Sequence, residues 1–275
     1  MAVNTLSIDL EDYFMVENFS SFIRFEDWEK YPLRLESSVP KLLDLLEAHQ
    51  VCATFFILGW VAQKLPRLVK EIAQKGHEIA CHGYSHRPVF KLGAILFEKE
   101  IRKAKKILED LSGKPVFGYR AATYSINSKT PWVWDVLAKT GFRYDSSYRP
   151  FLASHWKGLP VNTVQEMPTS YRKTILEYPI TVKKFCGLSI PFYGGGYFRL
   201  FPLSWIEKGI SQLNQQGKSA NVYLHPWEID PEQPRLKGST LASFRHYVGL
   251  SQTEKKLIHL MENFSFKPIQ EVLPL

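Results

Sequence analysis

With 275 residues, 45% of them hydrophobic and 23% charged, the chain can bury a sizeable core, and its composition argues against disorder. A net charge of +8 raises the question of nucleic acid, but Lys and Arg are spread along the chain. The densest run, Arg102–Lys106, is flanked by Ile101, Ile107 and Leu108 as a solvated helix face is, so no nucleic-acid partner is expected, while an anionic polymer or a membrane surface stays open.

The N-terminus lacks a basic segment followed by a long apolar run, and no apolar run elsewhere is long enough to span a bilayer; the chain is expected to be soluble and cytoplasmic. Three cysteines, Cys52, Cys81 and Cys186, lie far apart without a C-x-x-C pair, which argues against a disulfide framework and a zinc knuckle and favours buried, reduced thiols.

In chain order, short β-type runs alternate with helical stretches. Thr5–Asp9 reads as a strand, followed by a helix near Val39–His49 with Pro40 near its start. Val51–Ile57 is a buried-strand candidate, and Pro66–Lys75 a helix closed by Gly76. His77–Cys81 is strand-like, Glu98–Leu111 is a helix stopped by Gly113 and Pro115, and Val116–Arg120 is strand-like. Thr130-Pro131 caps a helix ending at Gly141, and Phe142–Asp145 is the next short strand. An irregular, aromatic-rich insertion at about 151–200 holds one good strand, Leu176–Val182. A helix near Leu203–Gln215 and a strand at Ala220–Leu224 follow. About seven strands alternating with helices predict an α/β fold, either a doubly wound sheet or an incomplete (β/α) barrel. No internal repeat and no linker divides residues 1–275, which read as one domain.

Polar groups gather at the ends of these strands. Asp9, Glu11 and Asp12 follow the first; such a cluster needs a cation, a metal or solvent, and by itself an exposed acidic loop explains it equally well. His82 and His86 stand four apart after His77–Cys81, and a helical turn there would bring both onto one side; alone, H-x-x-x-H selects no metal, but two histidines plus one carboxylate form a common catalytic ligand set. Arg120 closes another strand-like run, where it could pair with a carboxylate for catalysis or for structure. Asp145 and His225 end two more. A lone His225 is more often structural, yet it is the fifth polar feature to emerge at a strand end.

In order, Asp9-x-Glu11-Asp12, His82-x-x-x-His86, Arg120-Ala121-Ala122, Asp145-Ser146-Ser147 and Leu224-His225-Pro226 resemble the five motifs of the polysaccharide deacetylase family, also called the NodB homology domain or carbohydrate esterase family four. Segments such as SIDLEDYF, GHEIACHGYSH, GGGYFRLFP and YLHPWEIDP are similar to its cytoplasmic branch associated with exosortase and exopolysaccharide loci. The resemblance implies a distorted, incomplete (β/α) barrel of about seven parallel strands. It implies Asp9 as catalytic base, Arg120 as the residue holding it, His225 as general acid and Asp145 as the carboxylate supporting His225. His82 and His86 would bind a divalent metal, expected to be Zn²⁺, with either Glu11 or Asp12 as third ligand. Cys81 is expected to turn into the core by strand alternation. Ala122, where the family has proline, is expected to loosen the backbone after Arg120.

The function so implied is metal-dependent removal of N-acetyl groups from amino sugars of a polysaccharide or lipid-linked glycan, in exopolysaccharide biosynthesis. Association at the membrane periphery with a membrane-bound glycan assembly machinery fits that role. Tyr171, Tyr193, Tyr197 and Phe198 either stack on sugar rings or pack a core. The alternatives are a related hydrolase of another C–N bond or of O-acetyl esters, and a non-catalytic glycan-binding component.

Overall fold

The structure, a computed structural model, describes residues 2–149, 160–171, 173–185 and 188–275. Its strands are β1 (Asn4–Leu10), β2 (Thr54–Ile57), β3 (Glu78–Cys81), β4 (Gly118–Tyr119), β5 (Tyr144–Asp145), β6 (Gln165–Pro168), β7 (Thr174–Glu177), β8 (Lys183–Phe185), β9 (Leu188–Ile190), β10 (Asn221–Leu224) and β11 (Phe266–Lys267). The helices are α1 (Leu35–Ala48), α2 (Gly59–Lys64), α3 (Pro66–Gln74), α4 (Val89–Ser112), α5 (Trp132–Lys139), α6 (Gly195–Leu200), α7 (Leu203–Gln215), α8 (Thr240–Tyr247), α9 (Leu250–Asn263) and α10 (Ile269–Val272).

Seven strands run parallel in the order β10-β1-β2-β3-β4-β5-β7, with antiparallel β6 beyond β7 and β11 alongside β1. The sheet curls into an open half-barrel of the predicted type. Strand alternation sorts its two faces: Leu6, Ile8 and Leu10 of β1 point into the helix-covered core, while Thr5, Ser7 and Asp9 face the interior. There Thr5 Oγ1 donates to Tyr178 Oη (3.2 Å) and Ser7 Oγ to Asn221 Oδ1 (3.2 Å). Beyond β7 the chain returns to β10, where Asn221 N donates to Thr181 Oγ1 (2.7 Å) and Tyr223 N to the Tyr193 carbonyl (3.1 Å).

One end of the interior is plugged. Glu78 accepts from Thr54 Oγ1 and Tyr144 Oη, both at 2.6 Å, and from Gln270 N at 3.1 Å. Ile269 and Leu273 pack with Phe56 and Tyr144. The glycine at 118 is required here, because a Cβ would lie 2.2 Å from the Tyr144 ring. With that end closed, the interior formed by the described residues opens past the C-terminal ends of the strands, where parallel α/β sheets place their sites.

Several boundaries differ from the sequence reading. Helix α1 begins at Leu35, four residues before Val39, because the Asp12 carboxylate accepts from Arg34 N (2.6 Å) and Leu35 N (3.1 Å). Pro40 then falls in the second turn. Helix α4 starts at Val89 and breaks at Gly93, whose φ of 68° is left-handed. The strand expected over Leu176–Val182 divides into β7 and the segment that crosses back to β10. Beyond Leu224 the structure adds α8–α10 and β11. Among the described residues no helix is long and apolar enough to cross a membrane. Cys186 and much of the segment after Pro150 lie outside the described residues.

Candidate active site

The open end of the half-barrel receives its polar groups from β1, β3, β4 and β10. Asp9 and Arg120 are both buried, and Arg120 Nη1 donates to Asp9 Oδ1 at 2.6 Å. The guanidinium is fixed in turn by the Ser146 carbonyl (3.1 Å) and Ser146 Oγ (2.9 Å), and it lies over the Phe56 ring, 4.0 Å from the centroid. A planar fork held on three sides leaves one orientation for the carboxylate it grips. The loosening expected from Ala122 is opposed by other contacts. Arg120 N bonds the Cys81 carbonyl (2.9 Å), and Ala121 N bonds Ser147 Oγ (2.8 Å).

Glu11, His82 and His86 form the candidate metal centre, with one ligand atom from each lying within 4.8 Å of the others. The histidines converge through a loop rather than the expected helical turn: Gly83 (φ 80°) and His86 (φ 54°) are both left-handed, the latter at a residue type that tolerates this region better than most. His82 Nδ1 contacts the Arg120 carbonyl at 2.8 Å. Burial pushes its pKa down to about 4, so the ring is neutral with Nε2 left as a lone-pair donor. His86 Nε2 lies 2.9 Å from Glu11 Oε2. Burial opposes the charge on both partners, but their attraction wins, holding Glu11 well below the usual carboxylate range and raising His86.

His225 stands on the opposite wall. Its Nε2 lies 3.1 Å from Glu11 Oε1 and 3.9 Å from Asp9 Oδ2, and its Nδ1 contacts Glu228 Oε1 at 2.6 Å. Burial disfavours the imidazolium, yet the bonds to Glu11 and Glu228 outweigh it and raise the pKa to about 10. Glu228 is buried and paired with buried Arg199 at 2.6 Å. These groups open into one cleft of about 550 Å³, lined among others by Asp9, Glu11, His82, His86 and His225.

Residues 19–144 match the polysaccharide deacetylase family model, and residues 146–274 match a domain of unknown function, DUF3473. That first stretch of the chain is thus similar to polysaccharide deacetylases. The chain is 46% identical over 74 residues to a peptidoglycan-N-acetylglucosamine deacetylase of Bacillus cereus, covering 27% of each chain. It is 29% identical over 117 residues to a chitooligosaccharide deacetylase of Sinorhizobium fredii, covering 42% of this chain and 49% of that one. The matches thus span about a quarter to half the length of these relatives. A Mycobacterium smegmatis crystal structure described as a polysaccharide deacetylase superposes with a TM-score of 0.62 at 19% identity, over 99% of this chain and 90% of that one, which shows the shared fold.

Two carboxylates, Asp12 and Asp145, do not sit where the sequence motifs suggest. Asp12 is outside the metal cluster: its oxygens are taken by Tyr13 N (2.9 Å), Arg34 N and Leu35 N. Following Glu11 along the chain, it faces away from the interior and holds the start of α1. Asp145 does not support His225. Tyr144 fills the interior, so alternation turns Asp145 to the other face, where it accepts from Ser147 N (3.0 Å) and Ser147 Oγ (2.7 Å). There burial keeps a proton on its neighbour Glu177, which is raised well above the carboxylate range and hydrogen-bonded to Asp145. Asp145 therefore braces the Ser146–Ser147 turn that grips Arg120. Cys81 lies in the helix-side core, its thiol pushed up to about 12 by burial.

Glu228 and Arg199 are the functional residues missed in the sequence. Glu228 stands three residues after His225 and also accepts from His225 N (3.0 Å); the N-cap-to-N3 spacing in His225-Pro-Trp-Glu228 is the signal that would have found it. Arg199, inside GGGYFRLFP, carries no local signal. Of the four aromatics considered, Tyr193 and Phe198 are core, Tyr171 is exposed, and Tyr197 lines the cleft.

Proposed function

We propose that the protein is a metal-dependent deacetylase that hydrolyses the N-acetyl group of amino sugars in a glycan. The observation that carries this reading is the placing of the Arg120–Asp9 pair and the Glu228–His225 pair on either side of Glu11, His82 and His86 in one cleft. The donor set fits a divalent cation: Glu11, His82 and His86 each bring one ligand atom within 4.8 Å of the others, and His82 presents Nε2. Two imidazoles and one carboxylate, with positions left open, suit zinc. A bound Zn²⁺ would polarise the amide carbonyl and acidify a water.

The chain's own groups then divide the proton work. Asp9, aimed by Arg120, takes the proton of the attacking water. His225, protonated at neutral pH and oriented by Glu228, gives a proton through Nε2 to the leaving amine. Acetate and the free amino sugar result, so atoms and charge balance. The family motifs from SIDLEDYF to YLHPWEIDP support a place in exopolysaccharide biosynthesis on the cytoplasmic side.

Acetate release from N-acetylated and O-acetylated oligosaccharides, with and without chelator, tests the reading. Chelator-sensitive release from the N-acetylated series is expected. Release only from O-acetyl esters, or undiminished release after verified metal removal, would reject it.

A further inference from the structure

The distal wall of the cleft is unlike a sugar platform. Leu200, Leu241 and Phe244 line the same cleft as Asp9 and His225, yet remain 53%, 57% and 56% exposed. They come from α6 and α8. Arg199 ties these helices together, donating to the carbonyls of Arg245 (3.0 Å), His246 (2.5 Å) and Val248 (2.9 Å) while gripping Glu228. The apolar rim is therefore rigidly joined to the support of His225.

Sugars are held by flat aromatic faces and hydrogen-bonding side chains. Leu200 and Leu241, two of these three residues, offer neither, and apolar surface kept exposed beside a site marks an apolar ligand part. Arg149 and Arg245 line this cleft as well, and guanidinium groups suit phosphate oxygens. Resting on the deacetylase reading, we propose that the substrate is lipid-linked: an N-acetylated amino sugar joined through phosphate to a long alkyl or polyprenyl chain, whose first segment lies on Leu200, Leu241 and Phe244.

The test compares acetate release by the metal-loaded protein from N-acetylglucosaminyl diphospho-undecaprenol in detergent micelles and from chitotetraose. The lipid-linked substrate is expected to show a kcat/KM at least ~10-fold higher, since burying a few methylenes contributes that much. The double variant Leu241→Ser, Phe244→Ser, altered only at exposed positions, is expected to lower the ratio of the two kcat/KM values about 10-fold. Equal use of both substrates, or a ratio unmoved by the double variant, overturns the lipid-linked assignment and leaves the deacetylase reading standing. Acetate from neither substrate overturns both. Binding of the wild type but not the double variant to substrate-free phosphatidylglycerol vesicles, together with an unmoved ratio, overturns it in favour of a membrane-docking face.

Discussion

Two buried arginines organise the two sides of this cleft, and they do so differently. Arg120, within the stretch that matches the deacetylase model, grips the proposed base directly, Nη1 to Asp9 Oδ1. Arg199 acts one residue removed, through Glu228 to His225, within the half that matches a domain of unknown function. The difference follows from charge. A base must stay anionic, so a cation belongs against it. An acid must stay cationic, so the cation belongs behind an intervening carboxylate. Burial makes both arrangements stringent, because a charge left without its partner in such a place destabilises by about 3–5 kcal/mol.

The direct side breaks first. Asp9→Asn removes the proton acceptor while keeping a polar partner for Arg120, and turnover is expected to fall about 1000-fold, within the range for a lost general base. Metal content, measured on the purified variant, should match the wild type. Full activity in Asp9→Asn would end the assignment of Asp9 as base.

The shared centre comes next. Glu11→Gln is expected to weaken metal binding at least ~100-fold, whereas Asp12→Asn should leave it unchanged and cost about 1 kcal/mol of stability as a weakened helix cap. Metal titration and urea unfolding of the two variants separate the roles. Equal loss of metal affinity in both would return Asp12 to the ligand set.

Acid should distinguish the two sides by stability. His246 stacks on Trp227 with ring centroids 4.2 Å apart, and its carbonyl accepts from Arg199. Burial, followed by nearby Arg199, lowers its pKa to about 3. The folded state therefore prefers the neutral ring. Its contribution is full above the unfolded value near 6.5 and is lost as pH falls from there toward 3, amounting to about 2 kcal/mol by pH 5. Urea midpoints at pH 7.5 and pH 5 should show a larger acid loss in the wild type than in His246→Gln. Equal losses would remove His246 from the account.

What the sequence made legible follows the same division. Asp9 stands next to last in its strand, His82, Arg120 and His225 each follow theirs by one residue, and the two-residue alternation decides which face they meet. The same rule explains Glu11, two residues on from Asp9, and turns Cys81 into the core. It fails where the chain leaves the strand: the preference for Glu11 over Asp12 depends on Asp12 meeting the start of α1, a contact across 22 residues. Asp145 misled because its motif position says nothing of the face it takes once Tyr144 fills the interior. Arg199 stayed hidden because its partner Glu228 lies 29 residues away, a contact that no local spacing or periodicity encodes.

The indirect side supplies the smallest effect and the closest test of the comparison. Glu228→Gln keeps a hydrogen-bonding group beside His225 Nδ1 and removes the charge between two cations. If Glu228 positions and charges His225, kcat should fall about 10-fold with KM little changed, the pattern for an interaction made mainly in the transition state. Metal content should stay the same, because neither Glu228 nor Arg199 belongs to the ligand cluster. A merely structural role would instead lower the urea midpoint and leave kcat of the folded fraction intact. Arg199→Lys supplies the control, since lysine keeps a cation near Glu228 but has three donors for four partners, Glu228 and the carbonyls of Arg245, His246 and Val248. It should lower stability more than it lowers kcat. The opposite order would mean that Arg199, like Arg120, acts on the chemistry directly, and the contrast between the two sides would collapse.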